Sequence, residues 1–179
     1  MRVRLSDKNI KELYPDIGNL LHTTRLGNLK ALLQNDYAGD NDCTVTAIAC
    51  ALNIPYDKVL PVATKYGYTS KKGTNPLKVR NIMQEIISSR DIAKSAYGKG
   101  VGCTLKKLET ILKTTPVVLN LWNDGRSYYK NHSVVIIGVD VYEYGVFLRV
   151  YDGWHLETSL IDYKKLSIVM SFQSSSVPR

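Results

Sequence analysis

An α+β domain is what the order of residues predicts, and three observations lead there. Apolar residues recur at helical spacing in the earlier part of the chain, as in Val79, Ile82, Met83, Ile86 and Ile87. From Pro116 the pattern changes to β-branched and aromatic runs at 116–122, 132–142, 146–151 and 166–172. The turns among the last of these carry Glu143-Tyr144-Gly145 and Asp152-Gly153-Trp154. Helices first and consecutive strands afterwards describe N-terminal helices packed on a C-terminal antiparallel β-sheet.

Residues 1–34 read as a helical N-terminal extension. Ser6 or Asp7 is placed to cap a short helix through Ile10, Leu13 and Tyr14 that Pro15 stops. A second helix is expected through Leu20, Leu21, Leu26, Leu29, Leu32 and Leu33, the last three giving one apolar face. The main domain is expected over 35–172. Its first helix starts near Cys43, with Asp42 or Thr44 as cap and with Ala47, Ala49 and Ala51 keeping it slim enough to pack centrally. Asn53-Ile54-Pro55 breaks the pattern, and a helix from Tyr56 to about Tyr66 ends at Gly67. A polar loop over 68–75 leads to Pro76, which suits the start of the next helix. Gly98, Gly100 and Gly102 read as a flexible link, and Thr104 caps a helix with Leu105, Leu108, Ile111 and Leu112 inward. The Ser-containing stretch 173–179 reads as a frayed tail.

The 179 residues suit a single domain able to bury a real core. Three cysteines, Cys43, Cys50 and Cys103, show no Cys-x-x-Cys spacing, so disulfides are not the organising device and a reducing compartment is expected. Cys43 and Cys50 on one helix stand about 10 Å apart along its axis, too far for one zinc ion with bonds of about 2.3 Å to sulfur. The sequence calls for no metal and no cofactor. No apolar run has the length of a membrane span. The formal charge of +8 is spread in pairs such as Lys71-Lys72 and Lys164-Lys165, which permits weak, non-specific contact with nucleic acid.

Three groups that carry chemistry fall at element ends. Cys43 opens a helix, His132 opens a strand and Asp152 closes the next one. If those strands pair through Glu143–Gly145, His132 and Asp152 become neighbours at one end of the sheet. Thiol chemistry needs these three: a sulfur nucleophile, an imidazole that takes and returns its proton, and a carboxylate that fixes the imidazole. The helix dipole and the imidazole are expected to hold Cys43 as a thiolate in an ion pair with His132, which would make its alkylation rate flat from about pH 5.5 to 8.

These pieces resemble the papain-like (C39-like) cysteine peptidases, and more closely small uncharacterised phage-encoded members of that fold. The matching residues are Asn41-Asp42-Cys43 with Ala47-Ile48-Ala49, Pro55-Tyr56-Asp57-Lys58-Val59 and Gly73-Thr74. They continue with Gly100-Val101-Gly102-Cys103-Thr104-Leu105, Pro116-Val117-Val118, Asn131-His132-Ser133-Val134-Val135 and Tyr151-Asp152-Gly153-Trp154. The resemblance implies a hydrolase that cleaves a peptide or isopeptide bond, with Cys43 as nucleophile, His132 as general base and acid, and Asp152 as the orienting residue. It further implies a peptide or protein substrate and a cytoplasmic setting, or a virion if the source is a phage. The oxyanion donor that the family takes from a Gln before the Cys has two candidates here, Gln34 and Asn41. Tyr128, Tyr129 and Trp154 are expected at the substrate rim. An acyl transferase would use the same triad. The reading from another class is a catalytically silent papain-like protein with a virion-structural or nucleic-acid-binding role, whose stacking surface would centre on Arg126-Ser127-Tyr128-Tyr129-Lys130.

Overall fold

A computed structural model describes residues 3–27, 29–34, 41–89, 95–99, 104–121, 128–129, 131–166 and 169–176. The fold is α+β. Its helices are α1 (Ile10–Leu13), α2 (Cys43–Leu52), α3 (Tyr56–Lys65), α4 (Val79–Ser88) and α5 (Leu105–Leu112). Its strands are β1 (Leu20–Arg25), β2 (Ser95–Lys99), β3 (Val117–Leu121), β4 (His132–Tyr142), β5 (Val146–Tyr151), β6 (Ser159–Asp162) and β7 (Val169–Ser176). The sheet runs β2-β7-β3-β4-β5-β6, with β1 also on β4 and every pairing antiparallel.

Both faces of the sheet are covered. Val118, Val135 and Ile137 point into a core with α2, α3 and α4, while Val117, Leu119, Val134 and Ile136 point to Leu108 and Leu112 of α5. Burial on both faces is why β3, apart from Asn120, and the middle of β4 read as apolar runs rather than as alternation. Helix α2 buries every residue after Cys43, so its alanines let it lie close to the sheet. It ends at Asn53, whose left-handed backbone (φ 52°) returns its N–H to the last carbonyls. Thr104 caps α5 as expected, its hydroxyl accepting from the Lys107 N–H. Pro76 opens a short 3₁₀ turn that leads into α4, with Asn75 accepting from the Leu77 N–H.

Neither Ser6 nor Asp7 caps α1, whose N-cap residue is Asn9 with no side-chain cap bond. Four further expectations need correction. The second helix of the 1–34 extension does not form: Leu20–Arg25 is strand β1, and Leu29 and Leu32 pack on the α2–α4 core without helical structure. The reason is tertiary. Strand β3 pairs with β4 only as far as Ile136, and β1 takes over the same edge from Gly138 to Tyr142, satisfying backbone groups that β4 would otherwise leave open. Gly138 permits this approach, since a Cβ there would lie 2.6 Å from the Thr24 carbonyl oxygen. Second, Gly98 belongs to strand β2 rather than to a link, while 100–103 lie outside the described residues. Third, β7 continues to Ser176, so 173–176 are strand rather than tail. Fourth, Asp42 is the N-cap residue but its side chain does not cap α2; it is buried beside Tyr56 and Tyr68. Strand β6 was not foreseen.

Candidate active site

The β4–β5 hairpin closes through Glu143–Gly145 as expected, with the Tyr142 N–H donating to the Gly145 carbonyl. Pairing of Val135 with Tyr151 brings the start of β4 beside the turn that follows β5. His132 and Asp152 therefore meet at one end of the sheet. Helix α2 lies across β4, and its first residue opens at the same end.

Cys43 and His132 line one cavity of about 320 Å³, together with Asn41, Thr44, Lys72, Thr74, Asn120 and Asn131. No hydrogen bond joins the two among the described residues. Alternation along β4 explains this: Ser133, on the same face as Val135 and Ile137, is what α2 meets. The Thr44 hydroxyl lies 2.7 Å from that of Ser133, which donates at 2.6 Å to Oδ1 of its cross-strand partner Asn120. These hydroxyls stand beside the thiol. Burial pushes the Cys43 thiol above its ordinary value, and hydrogen bonds from Ser133 and Thr44 offset this only in part.

His132 is buried, and burial lowers its imidazole to about 4, against smaller opposing effects of the Asp152 main chain and charge. Burial thus works against both charges of the expected thiolate–imidazolium pair, and the resting site holds a neutral thiol and a neutral imidazole. The ring packs on Tyr129 (centroids 5.3 Å apart, planes 12° apart) and on Trp154 (4.0 Å, 31°). Its Nε2 lies 2.7 Å from the main-chain carbonyl oxygen of Asp152. A carbonyl can only accept, so Nε2 carries the hydrogen and Nδ1 is the basic nitrogen.

The Asp152 carboxylate does not reach His132 as the sequence reading expected. Oδ1 accepts from the main-chain N–H groups of Trp154 and His155, each at 2.9 Å. Oδ2 accepts from Tyr129 (2.7 Å), Ser159 (2.6 Å) and Nδ1 of His155 (2.9 Å). Burial raises the pKa of this carboxyl, but the Ser159, Tyr129, His155 and Trp154 donors outweigh burial and leave it lowered, so it is ionised at neutral pH.

The oxyanion candidates are placed differently from one another. The Asn41 amide donates to the Ser70 and Lys71 carbonyls at 2.9 and 3.1 Å, tying the 70–73 loop to the mouth of α2. Gln34 is buried against the turn after β5: its N–H donates to the Gly153 carbonyl, and its Oε1 accepts from the Trp154 indole at 3.0 Å. Of the rim candidates, Trp154 is exposed and Tyr128 partly so, whereas Tyr129 is buried under the imidazole. Residues 126, 127 and 130 of the proposed stacking run lie outside the described residues.

Ser133, Asn120 and Ser159 carry no part in the expectations from sequence, Thr44 figures there only as a helix cap, and His155 only as a residue that could line the cleft. A signal existed for three of them. Asn120 interrupts an apolar strand, and Thr44 and Ser133 each follow a candidate catalytic residue in a segment that buries its neighbours.

No helix among the described residues is long and apolar enough to cross a membrane. No family model and no curated protein matches the chain. Among solved structures it is similar to the crystal structure of a double glycine motif protease from an AMS/PCAT transporter in complex with the leader peptide. The identity is 17 % and the TM-score 0.45, over 85 % of this chain and 98 % of that one.

Proposed function

We propose that the chain is a thiol hydrolase of the cysteine-peptidase kind, acting on a peptide or isopeptide bond through Cys43 and His132. The observation that carries this reading is the shared cavity: a thiol at a helix start and an imidazole with a basic Nδ1 open onto the same space. In the reaction, Nδ1 takes the Cys43 proton as sulfur attacks the carbonyl carbon. The C–N bond then breaks, the proton passes to the leaving amine, and water hydrolyses the thioester with Nδ1 again as base. The N–H groups of the first turn of α2 have no partner within the helix, and that of Cys43 is suited to the developing oxyanion. Contacts between base and nucleophile are often long before substrate binds and tighten in the complex, and the reading requires such tightening, since the two line one cavity without a hydrogen bond between them.

The test is release of p-nitrophenolate from p-nitrophenyl acetate, followed by screening of a peptide library. Cys43→Ala should abolish acyl-enzyme formation, and His132→Ala should slow turnover by about 10²–10⁴. Turnover that survives Cys43→Ala would dismiss the reading.

A further inference from the structure

Three parts of the surroundings of His132 hang from one residue, Asp152. The Tyr129 ring that stacks on the imidazole is held through its hydroxyl, donated to Asp152 Oδ2. The Trp154 ring that packs on it is carried by a residue whose N–H donates to Asp152 Oδ1. The carbonyl that accepts from Nε2 is Asp152's own. The turn itself is sharp, with Gly153 at φ +74°, and both the Trp154 and His155 N–H groups close it onto Oδ1. Arg4 extends the network outward: its Nε donates to Ser159 Oγ at 2.7 Å, and Ser159 donates to Oδ2. Gln34 braces the far side through the Trp154 indole.

We infer that Asp152 is a positioning residue that acts on His132 through its main-chain carbonyl, while its carboxylate serves to lock the Asp152–His155 turn and the Tyr129 and Trp154 rings around the imidazole. This rests on the proposed thiol hydrolysis and assigns its third member a different part. A carboxylate bonded directly to the ring stabilises the imidazolium by its charge. A main-chain carbonyl fixes tautomer and direction but brings no full charge. The carboxylate's five donors leave it committed to the turn. Residues of the N-terminal segment, Arg4 and Gln34, thereby enter the support of the site.

The two arrangements differ in what Asp152→Asn does. An asparagine Oδ1 still accepts from the Trp154 and His155 N–H groups, and its amide donates to the Ser159 and Tyr129 oxygens, so the turn and the carbonyl persist. Deacylation of Cys43 after reaction with p-nitrophenyl acetate should then slow by about tenfold or less in Asp152→Asn, an orientational loss. It should slow far more in Asp152→Ala, where the turn opens. If the charge itself served the ring, Asp152→Asn should cost about 10⁴, as when a carboxylate bonded to a catalytic imidazole is replaced. That result would overturn the inference.

A second measurement needs no turnover. Long-range ¹H–¹⁵N correlation spectra at neutral pH should show His132 with its hydrogen on Nε2 in both the wild-type chain and Asp152→Asn. A change to the Nδ1–H form in Asp152→Asn would show that the side chain is the partner, and would overturn the inference. Should His132→Ala deacylate as fast as wild type, the hydrolase reading would fail, while the tautomer would still decide the part played by Asp152.

Discussion

The charge state of the resting site yields the sharpest prediction, because sequence and structure disagree on it. The perturbation is pH, and the observable is alkylation of Cys43 by iodoacetamide. Taking His132 at about 4 and the thiol at no less than its ordinary value near 8.5, the ion pair stands to the neutral pair as on the order of 10⁻⁴ to 10⁻⁵ before the two attract. Opposite charges 4 Å apart at an effective dielectric of about 20 gain about 4 kcal/mol, a factor of about 10³. That is an upper figure here, since neither group contributes to the other's shift. The neutral pair therefore prevails, with about ten per cent of ion pair at most. Thiolate must be made by titration, so the alkylation rate should rise at least about tenfold between pH 6 and 9. The proposed hydrolysis should behave differently. It needs the neutral base and the thiol, so its rate should hold from about pH 5 upward, above the His132 midpoint near 4. An alkylation rate constant within about twofold across pH 6–9 would refute the argument and restore the ion pair that the helix position of Cys43 led us to expect.

Other outcomes follow from the same contacts. His132 is buried neutral with a pKa near 4, below the value near 6.5 of the unfolded chain, so between those values the unfolded state binds more protons. Unfolding free energy should rise with pH by about 3 kcal/mol through that window, and His132→Gln should flatten this slope in urea titrations. Arg149 is buried and bridges buried Asp140 and exposed Asp7, also donating to Thr158. Arg149→Ala takes the buried guanidinium from the Asp140 carboxylate, leaving it the Thr23 hydroxyl and Arg25 at 3.8 Å, and should cost about 3 kcal/mol in chemical denaturation, while Asp7→Ala should cost under about 1 kcal/mol. Gly138→Ala drives a Cβ onto the Thr24 carbonyl and should cost about 1–3 kcal/mol. Hydrogen exchange should show protection lost over 20–25 while α2 keeps its own, and an unchanged β1 would contradict the proposed packing.

Elements whose local signals agree with their burial are legible in the residue order alone. Helix α4 has one apolar face that is buried whole, α5 has its Thr cap and inward leucines, and β4 and β5 are apolar runs joined by a short turn. The sequence also determined that Cys43, His132 and Asp152 stand at element ends, because the residue order fixes where each pattern begins. Partnership across space was beyond it. Leu20, Leu21 and Leu26 carry no sign that the far half of β4 lacks a neighbour, so a leucine-rich stretch reads as helix until β4 supplies an edge. Strand β6 is four residues long, too short to show a period, and exists because β5 offers it an edge. Within the site, sequence brought Asp152 near His132 but not which of its oxygens would face the ring. The turn's free N–H groups and the Tyr129, Ser159 and His155 donors claim the carboxylate, and the main-chain carbonyl is left for Nε2. Charge follows the same rule. A cysteine at a helix start favours thiolate on local grounds, and only the depth at which α2 and β4 bury Cys43 and His132 reverses that preference.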